Sequence, residues 1–171
     1  MINKLKNILK NKKGMNTIET AIVSVIILMC IGGMIDLNTI IKKFNATSST
    51  TSYISRTIAK QGGVRMNKPQ SFNGNYVTSQ ELYSDVKSAL NKAGIKDSDF
   101  QVTINGNKLQ ANSNLPIVTH GKTMKVELKI KYKWSFISQF NGGNDFSKSS
   151  NRVVMSTFKY RTSSNVGSEV Q

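Results

Sequence analysis

The sixteen residues from Thr20 to Ile35 contain no charged side chain, while the segment before Gly14 carries Lys4, Lys6, Lys10, Lys12 and Lys13 without a single acid. An apolar run behind a basic stretch reads as a membrane-targeting segment whose basic end stays in the cytoplasm. As a helix the run spans about 24 Å at roughly 1.5 Å per residue, somewhat less than a hydrocarbon core of about 30 Å. Local thinning of the bilayer or snorkelling of the flanks closes that gap. The expectation is a single-pass membrane protein, with a cytoplasmic amino terminus and the rest of the chain extracellular or in the cell envelope.

An ordinary secretory signal places its small-residue cleavage site after the apolar run, but here Gly14 stands before it. Cleavage at Gly14 would leave the apolar segment on the mature chain. Glu19 stands at the mouth of that segment, where an unpaired carboxylate costs about a few kcal/mol to place in a membrane. A cut after Gly14 sets the new α-amino group of Met15 one helical turn from Glu19. In a bundle of such helices a neighbour's amino terminus can meet the carboxylate, and an unpaired buried charge then penalises wrong register.

The run Gly14-Met15-Asn16-Thr17-Ile18-Glu19 resembles the processing region of type IV pilin and pseudopilin precursors, with Gly followed by Glu at the fifth position. It is most similar to the TadE-like pseudopilins of tight-adherence systems. The resemblance covers about residues 1–65 and includes Asp36 after the apolar run and Arg56-Thr57-Ile58-Ala59-Lys60-Gln61-Gly62-Gly63. It implies a non-enzymatic minor pilin or pseudopilin, with Gly14 and Met15 as processing residues and Glu19 as the assembly residue. The implied partners are a prepilin peptidase, other pilin or pseudopilin subunits, an assembly platform and the membrane. The product would be a surface pilus or secretion-type filament.

Along the chain the reading is a basic leader over 1–14, a long helix over 15–63 with its membrane span at about 18–36, a head over 64–161 and a loose tail over 162–171. Ile40, Phe44, Thr47, Thr51, Ile54 and Ile58 recur every three or four positions, so the helix is expected to continue to Gln61, with local melting or bending in the Ser- and Thr-rich run from Ala46 to Ser52. Gly62 and Gly63 stop it, and Val64 to Tyr76 reads as a loop. Thr78 to Glu81 has capping-box spacing and opens a second helix with Leu82, Val86, Ala89 and Leu90 on one side, ended by Gly94. Phe100, Val102 and Ile104 form a strand before Asn105-Gly106, a type I′ hairpin dipeptide, and Leu109 begins the return.

Met124, Val126, Leu128, Ile130, Tyr132 and Trp134 then alternate without a fault with Lys125, Glu127, Lys129, Lys131 and Lys133. A last strand is expected from about Arg152 to Arg161 after a loop at Asn141–Asp145. The predicted fold class is α+β: a long N-terminal transmembrane helix continuing into a small head, with one helix packed on a three- or four-stranded antiparallel sheet.

Net charge is +15, and removing the five leader lysines leaves +10, because all nine acids lie after Gly14. A basic exported head suits anionic partners, either DNA or an anionic wall polymer. Lys125, Lys129, Lys131 and Lys133 are the candidate anionic-ligand surface, extended by Arg152, Lys159 and Arg161 if the last strand lies alongside. The same row also reads as a solvated sheet face. A membrane-anchored binding module is therefore the alternative function.

No enzyme chemistry is expected. His120 is the one histidine and has no nearby acid or serine motif, Cys30 is the one cysteine and lies in the apolar run, and Asp97 and Asp99 read as turn or capping residues. There is no phosphate loop, zinc spacing or nucleophile elbow, so neither cofactor nor metal is predicted.

Overall fold

The computed structural model describes residues 12–159 apart from 71, 137 and 139–144, with side chains of the first helix described from Asn16 onward. That helix, α1, runs Lys12–Gln61, and α2 runs Ser79–Lys92. Four strands follow: β1 Phe100–Ile104, β2 Asn107–Lys108, β3 Thr123–Tyr132 and β4 Phe146–Met155. They form one antiparallel sheet in the order β2-β1-β3-β4. The class is α+β. The chain divides into two compact units, residues 1–39 with 134–144, and residues 40–133 with 145–171.

In the larger unit, both α2 and the C-terminal part of α1 pack on one face of the sheet. Ile54 and Ile58 of α1, and Leu82, Val86 and Leu90 of α2, share a core with Val102 and Ile104 of β1 and Met124, Val126, Leu128 and Ile130 of β3. The three-to-four spacing of the helix residues and the two-residue spacing of the strand residues put all of these on facing surfaces. Ala89 is exposed rather than part of the apolar side expected of α2, because the buried stripe is the narrower Leu82, Val86, Leu90 row.

The Ser- and Thr-rich run of α1 does not melt, since helix is continuous through it. Thr47 Oγ1 donates to Lys43 O and Thr51 Oγ1 to Thr47 O, both at 2.7 Å, and Thr47, Thr50, Thr51 and Ser55 are buried. The hydroxyls bond within the helix instead of competing with it, and tertiary burial outweighs weak propensity.

The predicted caps are in place. Thr78 and Glu81 form the full capping box at the start of α2. At its end Ile95 N–H reaches Leu90 O and Gly94 N–H reaches Asn91 O, a Schellman pair closed by buried Ile95 and Leu90. Asn105 and Gly106 have φ of 50° and 83°, the two positive values a type I′ turn requires. Gly62 ends α1 with φ 74° and admits a close neighbour, since a Cβ there would lie 2.8 Å from Val118 O. Gln61, buried beside it, donates to the carbonyls of Gly63 and Val77 and accepts from Val77 N–H.

The last strand corrects the sequence reading. It spans Phe146–Met155 rather than 152–161 and pairs along the whole of β3, from Phe146 opposite Tyr132 to Met155 opposite Thr123. Beyond it Ser156, Thr157 and Phe158 leave the sheet: Thr157 N–H bonds Ala59 O at 2.8 Å, and buried Phe158 stacks on Phe72. Tyr160, Arg161, the tail and residues 141–144 of the expected turn lie outside the described residues. β3 itself ends at Tyr132, so Trp134 is not on the sheet. The outer edge of β4 is unpaired among the described residues.

Candidate assembly helix and basic sheet face

In the smaller unit, α1 presents an apolar surface that is largely uncovered among the described residues. Ile22, Val25, Ile26, Leu28, Met34 and Ile35 are all more than half exposed, and only 6% of the most apolar window is buried. A core helix of a water-soluble domain would have buried such residues. The helix is long and apolar enough to cross a bilayer. Glu19 is exposed on it, and Cys30 is exposed among the apolar residues. Gly14 and Met15 fall in the first turn of the helix by backbone, with side chains outside the described residues, and residues 1–11 of the expected leader also lie outside them.

At the other end of the run Asp36 is buried, and its carboxylate accepts from two backbone amides, Ser135 at 3.1 Å and Phe136 at 2.8 Å. This contact joins residues about a hundred apart in sequence. The visible signal was only a charge placed immediately after sixteen uncharged residues.

In the larger unit the face of the sheet opposite the core is basic. Lys125, Lys129 and Lys131 lie on it with Glu127 among them, since their even-numbered neighbours are the buried ones. Lys108 joins them: it pairs with Thr103, which pairs with Glu127. Sequence reading missed Lys108, whose face depends on closure of the hairpin. Lys133 lies past the end of β3 and forms an ion pair with Asp145 at 3.0 Å, which draws it off the row.

Arg152 does not extend this surface. It pairs with Val126, whose side chain is in the core, so Arg152 is on the helix-facing side of the sheet. Lys148 is on that side as well, with its Nζ 5.7 Å from the ring centre of Phe44. Lys159 follows the strand and Arg161 lies outside the described residues. The basic face is otherwise lined by Gln101, Thr103, Thr123, Ser147, Ser149 and Asn151, with exposed Val153 and Met155 at one end, and none of its strand residues is aromatic. It can screen and hold negative charge but offers bases no ring to stack on.

His120 is exposed in a turn beside Gly121. Asp97 and Asp99 lie in a short 3₁₀ turn, where Asp97 is ion-paired with Lys87 and accepts from Asn91. That pairing holds the Asp97 carboxyl below the usual carboxylate range, through the Lys87 hydrogen bond above all. Among the described residues no three His, Cys, Asp or Glu side chains cluster as a metal site would need.

Comparison with protein-family models, with curated proteins and with solved structures finds no match in any of the three.

Proposed function

We propose that this chain is a pilin-like subunit, a minor pilin or pseudopilin, processed after Gly14 and assembled through α1 into a surface pilus or secretion-type filament. The observation that carries this reading is the bare apolar surface of α1, with Glu19 set at its amino-terminal end. Such a helix is at rest in lipid and can be withdrawn from it only if other apolar helices take the place of the acyl chains. Glu19 then meets the freed amino group of Met15 on a neighbouring subunit. The chain is the substrate of a prepilin peptidase rather than an enzyme, and its sheet-bearing unit is exported.

Co-expression of the full chain with a prepilin peptidase, read by intact mass and terminal sequencing, tests the first step. A mature amino terminus at Met15, abolished by Gly14→Val, is the expected result. Persistence of Met1 in the presence of active peptidase refutes it. Glu19→Ala should leave membrane insertion intact and impair assembly.

The four-lysine face supports a second reading, an anchored module that holds an anionic wall polymer. Binding to a polyphosphate or teichoic-type polymer should then fall steeply with salt and vanish when Lys108, Lys125, Lys129 and Lys131 are neutralised.

A further inference from the structure

The segment after β3 ends in aromatic residues and returns to the apolar helix. Phe136 lies against Gly32 so closely that a Cβ on Gly32 would fall 2.3 Å from its Cδ1 and 2.4 Å from its Cε1. Only a glycine admits the ring there. Gly33, the next residue, has open space: a Cβ on it meets nothing within 4 Å. The ring borders a wholly apolar hollow of about 400 Å³, lined also by Val25, Leu28, Ile31 and Ile35. These are the same residues that form the uncharged run.

One turn further along, Asp36 receives the amides of Ser135 and Phe136. Non-helical backbone is tolerated at membrane depth only where its polar groups are satisfied, and those two N–H groups are. Asp36 in turn is a carboxylate at the border of the run with its own charge met by two donors. Phe136 thus sits about 6 Å inside the apolar run, the rise of four helical residues. Trp134 stands just before the amides held at its polar end. Trp134 is half-buried, and aromatic residues near such a border are what membrane interfaces favour.

We infer that Trp134 to Phe136 forms a second membrane contact, seated in the bilayer interface at the Asp36 end of α1. Its partner is the lipid surface, argued from its continuity with the apolar face of the helix. The inference rests on the membrane-spanning reading of α1.

Trp134 is the chain's single tryptophan, so its fluorescence reports this segment alone. The test is full-length protein reconstituted in phosphatidylcholine vesicles, with matched lipids brominated near the headgroup or deep in the acyl chain. Flotation and protease protection report separately on α1. The expected result is blue-shifted Trp134 emission, quenched more by the shallow bromines, with quenching lost in Gly32→Val and kept in Gly33→Val. Unquenched Trp134 in protein that floats and is protected overturns the contact while leaving the span intact. Failure to float overturns both. Emission that tracks the protein-to-lipid ratio instead of the bromines assigns the hollow to a second copy of the chain and likewise overturns the proposal.

Discussion

Tyr53 donates its phenolic hydrogen to Oδ2 of Asp85 at 2.7 Å, which ties α1 to α2 at the rim of the core they share. Burial of the phenol and then this hydrogen bond push the Tyr53 pKa up to about 12 from its ordinary 10.0. A group whose folded pKa is raised contributes stability that is complete below its unfolded value. That contribution disappears as pH rises through the folded value. The full chain in detergent should therefore lose stability between pH 10 and 12 by an increment that Tyr53→Phe lacks. Absorbance titration of tyrosinate should show late ionisation from Tyr53 and from half-buried Tyr76, and only the Tyr53 component should be absent from that variant.

The amino-terminal cap of α2 should be separable from its packing. Thr78→Ala removes the acceptor of Glu81 N–H, and a loss of about 1 kcal/mol is expected. Glu81 in return accepts from the Thr78 backbone amide and from its hydroxyl, which hold its carboxyl below the ordinary 4.5. Its contribution is present above that ordinary value and fades as pH falls through the lowered one. The difference in thermal unfolding between Thr78→Ala and wild type should narrow in acid without closing, because the Thr78 Oγ1 bond to Glu81 N–H does not depend on the charge of the carboxyl.

Ser55 is a different case, a buried hydroxyl for which no hydrogen-bond partner exists among the described residues. Ser55→Ala removes an unsatisfied group and places a better helix former in α1. A gain of about 1 kcal/mol is expected from relieving the desolvated hydroxyl. A lowered melting temperature would count against this account of the site.

The two faces of β3 should respond oppositely to truncation. Leu128 is fully buried, so Leu128→Ala should cost about 2 to 5 kcal/mol, whereas Lys129→Ala should stay within about 0.5 kcal/mol. Paired denaturant titrations of the two variants measure the contrast. A large loss at Lys129 would show that the basic face is packed rather than solvated.

Much of this fold was legible because local chemistry and tertiary burial agree. The two-residue alternation of β3, the Thr78 and Glu81 spacing and the Asn105-Gly106 turn each specify one geometry by themselves. β4 was not legible: Ser147 to Arg152 shows no apolar alternation, because an edge strand gains its place from the backbone bonds to β3 rather than from buried side chains. The same register decides that Arg152 faces the helices, which composition cannot say. Trp134 looked like one more step of the β3 alternation, but period alone does not mark where a strand stops. Of the candidate site, the lysine row of β3 and the apolar run were visible at once. The approach of Phe136 to Gly32 was not, since nothing local links residues so far apart in the chain.

The unpaired margin of β4 bears on how the chain survives in company. An open edge ten residues long, along which every second residue turns its backbone donor and acceptor outward, would ordinarily recruit a strand from another molecule and start aggregation. Ser147, Lys148, Ser149, Ser150, Asn151 and Arg152 fill the middle of that margin with polarity and positive charge, so an intruding strand would gain little apolar contact and would bring like charges together. The polarity that hid this strand from sequence reading therefore acts as a gatekeeper. It disfavours the joining of copies of this chain through their sheet edges.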